Sequence, residues 1–206
     1  MSEPTGCLAS RCHHDDYCPR CDLLVGLEGL HVVGVARDDG VGGLTISVES
    51  AGSLVGCPTC GVVAHSHGRR QVRLVDAPCF DRPTRLLWLK RTWRCVEPAC
   101  PVRVFTEQDA RVAAPRALLT TRACWWAIGQ LRRENASIQG LARQLGTTWN
   151  TLWSAVEPLL EAMADDESRF AGVARLGVDE HVVRHEALLF RMEVRDLHRS
   201  AVVAAG

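Results

Sequence analysis

Two short stretches carry the residue types most able to do chemistry. "CPTC" sets Cys57 and Cys60 two residues apart, and "CVEPAC" sets Cys95 and Cys100 with four residues between them. Each spacing turns two thiolates toward one point, and four thiolates satisfy a tetrahedral Zn²⁺ ion. Pro58, Pro98 and Gly61 suit the tight turns this needs. A second group, Cys7, Cys12, Cys18 and Cys21 with His13 and His14 nearby, has one clean knuckle, "CPRC". It leaves two readings open: a second zinc site, or reduced cysteines without a metal. Cys79 and Cys124 stand apart from both groups and are expected to be packing residues. His65 and His67 follow the first knuckle, but a four-cysteine set is already complete, so they are read as surface histidines.

A different chemistry is suggested by "RLGVDEHVVRH", residues 175–185, where a short apolar run ends on Asp179 and Glu180. Acids at a strand end are one way to begin a site for hard divalent cations.

The elements that must position these groups follow from the pattern. "LHVVGVA" and "LTISVES" alternate as strands do and flank the Gly-rich "RDDGVGG". "QVRLVDA" and "TRLLWLKRTWRC" read as the strands that bring the two cysteine pairs together. The result resembles a zinc ribbon, in which metal supplies folding energy that a small β module lacks. Residues 115–168 lose the strand pattern and become helical in period. From Ala171 the sequence is strand-like again.

The helical block contains "ASIQGLARQLGTTWNTLWSAVEPLL", residues 136–160, which fits a helix-turn-helix. Ala142 is small where two helices cross, and Gly146 supplies the turn, because positive φ is cheap for glycine. Ile138, Leu141, Leu145, Leu152, Ala155 and Val156 take the inward positions. Thr147 is the expected cap of the second helix. Its outward face would carry Thr148, Trp149, Asn150, Trp153 and Ser154, the surface a recognition helix presents to a major groove. Asn150 is a candidate adenine reader, with Thr148 and Ser154 beside it. Arg132, Arg133 and Arg143 are candidate phosphate contacts. Trp149 and Trp153, four residues apart, form an apolar stripe on a face that should be polar.

A formal net charge of zero conceals an uneven distribution. Residues 1–50 hold three Arg and eight acids, residues 69–103 nine Lys or Arg and three acids, and residues 111–145 six Arg and one acid. A basic middle between acidic flanks points to a polyanionic partner. Ten cysteines, no secretory leader and no run approaching 18 apolar residues lead to the expectation of a cytoplasmic protein with reduced thiols and no membrane partner.

Taken in order, "CPTCG", "RTWRCVEPACPVRVFTEQ", "GLARQLGTTWNTLW" and "RLGVDEHVVRH" resemble the ISL-three group of bacterial insertion-sequence transposases over about residues 27–185. The resemblance implies that the ribbon and the helix-turn-helix bind the terminal repeats of a mobile element as duplex DNA. It also implies that the "VDE" strand opens an RNase-H-like DDE domain, with Asp179 as its first catalytic acid. Such sites use three carboxylates to hold two Mg²⁺ ions. The resemblance fades after His185. Mg²⁺ is therefore expected only with a complete catalytic domain, and no catalysis is expected from these residues alone.

The sequence is accordingly read as an α+β chain. It comprises an N-terminal cysteine-containing β segment (1–55), a zinc ribbon (56–106), a helix-turn-helix domain (115–168) and an incomplete RNase-H-like β fragment (173–206). The leading function is the DNA-binding part of a transposase, acting as a homo-oligomer or with a full-length copy. A stand-alone zinc-ribbon regulator is the alternative, and a protein-interaction module is a third reading.

Overall fold

The computed structural model describes residues 17–38 and 42–173. Cys7, Cys12, His13, His14, Asp179 and the expected RNase-H-like fragment lie outside the described residues. The chain divides into two compact units between Ala162 and Met163. The first is a mixed α+β unit, in agreement with the expected class.

Five strands form one sheet: β1 (Leu30–Asp38), β2 (Gly43–Ser50), β3 (His65–Cys79), β4 (Arg82–Arg94) and β5 (Val104–Thr106). The order is β1-β2-β4-β3, with β5 on β4. The pairs β1–β2, β3–β4 and β4–β5 are antiparallel, while β2–β4 is parallel. Strands from residues 1–55 and strands from 56–106 belong to a single sheet, because Leu44–Val48 pair with Thr84–Trp88. A parallel pairing leaves no local turn signature, so nothing in the sequence marks it.

Alternation decides which face is buried. Leu44, Ile46 and Val48 on β2, Leu74 on β3, and Leu86 and Trp88 on β4 point to one side and are at most 8% exposed. Val112 and Ala113 close over them. Burying side chains of this size contributes roughly 1.5–3 kcal/mol each. Lys90, the chain's single lysine, follows Trp88 on the same face. Its Nζ lies 4.0 Å from the Trp88 ring centroid and donates to Gln108 Oε1 at 3.0 Å. The indole face and one amide oxygen thus replace the water its charge loses, and burial pushes its pKa down.

The β3–β4 hairpin closes through Phe80 and Asp81, both at positive φ (53° and 59°), between the paired Cys79 and Arg82. Two left-handed residues match the right-handed twist of the flanking strands.

Four α-helices complete the described chain: α1 (Pro19–Val25), α2 (Thr121–Glu134), α3 (Ile138–Gln144) and α4 (Trp149–Asp165). Helix α1 was not anticipated from sequence. Pro19 starts it and Gly26, at φ 63°, ends it. Asp22 ties it to the sheet, accepting from the Val32 N–H at 2.7 Å and pairing with His31 Nδ1 at 2.8 Å. The Tyr17 ring stacks on His31, and its hydroxyl donates to Glu49 Oε1 at 2.9 Å. Helix α2 begins at Thr120, whose hydroxyl oxygen accepts from the Ala123 N–H at 3.1 Å. The described part of the second unit holds the end of α4 and a 3₁₀ turn, Glu167–Phe170, capped by Asp166.

Candidate metal centre and nucleic-acid interface

The first cysteine knuckle is a tight backbone turn. Cys57 N–H donates to Val62 O at 2.8 Å and Gly61 N–H to Cys57 O at 2.9 Å. Gly61 takes φ 74°, which a side chain would resist. The second knuckle is the loop joining β4 to β5. Cys95 N–H donates to Arg103 O at 3.0 Å, and Cys100 N–H to Glu97 O at 3.1 Å. Arg103 returns its guanidinium to the carbonyls of Glu97 and Pro98, at 3.2 and 3.1 Å, fastening the loop.

The β3–β4 ladder superimposes the two knuckles. His65, shortly after Cys60, pairs with Arg94, which immediately precedes Cys95. All four sulfur atoms lie within 4.8 Å of one another. Cys57 Sγ is 3.7 Å from Cys100 Sγ, and Cys60 Sγ is 3.6 Å from Cys95 Sγ. A disulfide would need about 2.05 Å. A tetrahedral ion with metal–sulfur bonds of about 2.3 Å sets sulfurs about 3.8 Å apart, so the four cysteines could hold such an ion. Cys57, Cys95 and Cys100 are buried against Val102 and Phe105, while Cys60 is exposed.

The electrostatics agree with that fit. The backbone N–H groups of Cys60 and Thr59 lower the Cys57 thiol to about 7. The Glu97 N–H favours the Cys95 thiolate, yet burial and the neighbouring thiols of Cys60 and Cys57 push Cys95 up to about 12. Burial chiefly raises Cys100. The knuckle amides thus support one thiolate, and further negative charge is opposed. A divalent cation removes that opposition, and an all-thiolate tetrahedral set suits Zn²⁺. His65 and His67 are exposed on β3 and outside the cluster.

Comparison with known protein families, curated proteins and solved structures finds no match.

The expected helix-turn-helix stretch folds as two helices, α3 and α4, around a short turn. Ser137 caps α3, accepting from the Gly140 N–H at 3.1 Å. Leu141, Ala142, Leu145, Leu152 and Val156 are buried, while Ile138 and Ala155 are half-buried. Gly146 takes φ 63°. A Cβ there would lie 3.0 Å from Pro83 Cβ, so both the backbone and the space require glycine. One expectation is corrected: the cap of α4 is Thr148, whose hydroxyl oxygen accepts from the Thr151 N–H at 3.2 Å, and not Thr147. The cap must precede the first helical N–H groups by the right interval, and Thr148 stands three residues before Thr151.

Thr148, the cap of α4, and Asn150 and Ser154 on that helix are exposed, as are Arg132, Arg133 and Arg143 on α2 and α3. Trp149 and Trp153 stack on each other, with centroids 5.9 Å apart and 19° between planes. Trp149 remains 43% exposed, so the stripe is partly self-covered.

Several cations serve the fold. Arg122 is spent on Asp76, Arg69 on Glu49 and Arg111 on Asp109. Arg91 donates to Ser50 O, and Arg85 to the carbonyls of Leu145 and Gly146. Among the described residues, Arg70, Arg73, Arg94, Arg132, Arg133 and Arg143 make no ion pair, and all six are exposed. Sequence reasoning missed Arg85 and Arg103 as structural residues. Their signal was faint: each lies in an arginine-rich stretch, and only the fold shows which carbonyls they reach. No helix of the described residues is long and apolar enough to cross a membrane.

Proposed function

We propose that this chain is a zinc-stabilised module that binds duplex DNA through α3, its turn and α4. We further propose that it serves as the end-recognition part of an insertion-sequence transposase of the ISL-three group. The observation that carries the DNA-binding reading is the α3–α4 turn. Gly146 at positive φ and the Thr148 cap deliver Thr148, Asn150 and Ser154 to solvent at the start of α4. That is where a recognition helix carries its base contacts. Arg132, Arg133 and Arg143 supply charge for the phosphates.

Zinc in this reading is structural. Cys57, Cys60, Cys95 and Cys100 would hold it, and it would fix the ends of β3 and β4. Asp179, the residue that resembles the family's first catalytic acid, lies outside the described residues, and no step is assigned to it.

The test is titration of fluorescent duplexes carrying candidate terminal repeats, against random duplexes, over a range of salt. Affinity should fall steeply with salt as phosphates release counterions. Arg132→Ala with Arg133→Ala should weaken binding to all sequences alike. Asn150→Ala should lose about 1–3 kcal/mol of discrimination if its amide reads adenine. Salt-insensitive or absent binding would remove the DNA-binding reading. Equal behaviour of the variants on both duplexes would remove Asn150 as a reader.

A further inference from the structure

We propose that Arg73 on β3 is a contact to the phosphate backbone of the same DNA that α4 engages, placed beside the helix-turn-helix by the anchor at Arg85. The inference rests on the DNA-binding reading above and extends it from the helices to the sheet.

The placement follows from register. On β4, Thr84, Leu86 and Trp88 face the core, so Arg85 and Leu87 face the other way. Directly opposed residues share a face, and Arg73 is opposed to Leu87 while Val75 is opposed to Arg85. Arg73 and Arg85 are therefore diagonal neighbours on the outer face, a relation that separates residues by about 7–8 Å. Arg85 donates to Leu145 O at 2.9 Å and to Gly146 O, which brings the helix-turn-helix turn over that face next to Arg73. The depression lined by Pro78, Asp81, Pro83, Arg143 and Gln144 lies where α3 meets the hairpin end of the same strands.

Charge makes this a contact surface and not a solvated accident. Like charges on neighbouring strands repel, and the Arg73 charge, after desolvation, helps lower the Arg85 pKa. Glu49, on β2 across β4 from Arg73, is committed to Arg69. Arg73 is exposed and has no ion pair among the described residues. An anion supplied from outside would relieve the repulsion. A phosphate bound beside a recognition helix is the anion whose geometry suits a guanidinium fork.

The experiment uses the full zinc-loaded chain and a random-sequence duplex. Affinity is measured from about 50 to 200 mM salt for wild type, Arg73→Gln, Arg73→Lys and Arg37→Gln. Losing one phosphate contact lowers the slope of log K against log salt by about 0.9, so the loss of affinity over that range shrinks about 3.5-fold. Arg73→Gln should show this, Arg73→Lys should keep the wild-type slope, and Arg37→Gln, on β1 at the far edge of the sheet, should be unchanged. Zinc content and Tm should match wild type in all three. Equal slope changes for Arg73→Gln and Arg37→Gln would show a net-charge effect and overturn the assignment. An unchanged Arg73→Gln slope, with the Arg132→Ala/Arg133→Ala variant weakened, would overturn this inference and leave the DNA-binding reading standing. Absence of wild-type binding would overturn both.

Discussion

The guanidinium of Arg85, on strand β4, donates to the main-chain oxygen of Gly146 in the turn between α3 and α4. The same side chain donates to Leu145 O at 2.9 Å. Both carbonyls belong to the C-terminal end of α3, where helical partners run out and a cation is favourable. The sheet thus holds the helix-turn-helix by its turn, where a small shift would reorient α4.

Gly146→Ala should be disruptive for two separable reasons. A left-handed conformation costs an L-residue about 1–2 kcal/mol. The new methyl would also lie 3.0 Å from Pro83 Cβ and 3.2 Å from Arg85 Nη2, straining the anchor. Thermal unfolding should show Tm lower by several degrees, at about 2–4 °C per kcal/mol for a chain of this size. A variant as stable as wild type would show that the turn is not held as described.

Zinc removal gives the second expectation. Purified protein should contain at least one zinc per chain, and Cys95→Ser should reduce that content. Metal binding must displace thiol protons. Since burial and the neighbouring thiols hold the Cys95 thiol high, its proton must be displaced on binding, and apparent zinc affinity should rise as pH rises from about 6 to 8. Chelation should loosen the paired ends of β3 and β4, read as faster amide exchange around His65 and Arg94. A folded wild type without metal, unaffected by chelator, would exclude a structural site.

Asp76 provides a stability test away from both sites. It is fully buried and accepts from Thr120 Oγ1 at 2.7 Å and from Arg122 Nε at 2.8 Å. Arg122 also donates to Val25 O, so one carboxylate joins α2, β3 and the end of α1. Asp76→Ala leaves the guanidinium without its partner and should cost about 3 kcal/mol, the low end for breaking a buried pair because Arg122 is 31% exposed. Denaturant unfolding measures it. Asp76→Ala with Arg122→Met should recover part of the loss, since the unpaired charge is then gone.

Asp109 supplies a pH dependence whose sign is fixed. The Arg111 guanidinium, together with its N–H, holds the Asp109 carboxyl below the usual aspartate range. A group more acidic in the folded than in the unfolded chain stabilises above its unfolded value near 3.9 and loses that contribution as pH falls below it. The pair is at the surface and screened by solvent, so its contribution is small. Asp109→Asn should therefore lower Tm slightly at pH 7 and not at pH 2. An equal effect at both would assign the loss to packing.

How much was legible varied with the range of the interaction. The two knuckles were legible because a ligand pair is a local spacing. The inward residues of α3 and α4 were legible because helical period is local, and Gly146 because one residue type meets the demand for positive φ. The expected cap, Thr147, lies one residue before the observed one, because two adjacent threonines offer the same hydroxyl and only the folded position of the Thr151 N–H distinguishes them. Helix α1 was hidden behind its cysteines.

The sequence by itself determined which side chains can take metal and which segments must be strand or helix, since both depend on residue type and short-range period. Only the tertiary structure decided that β2 lies parallel to β4, which unites the N-terminal strands with the cysteine-bearing hairpin. It also decided which arginines are consumed. Arg85, Arg91 and Arg122 meet carbonyls or carboxylates that long-range packing delivers, whereas Arg73 and Arg143 do not. For these three, the partly buried contact that fixes the role of the charge joins segments distant along the chain, so it exists only once the chain has folded.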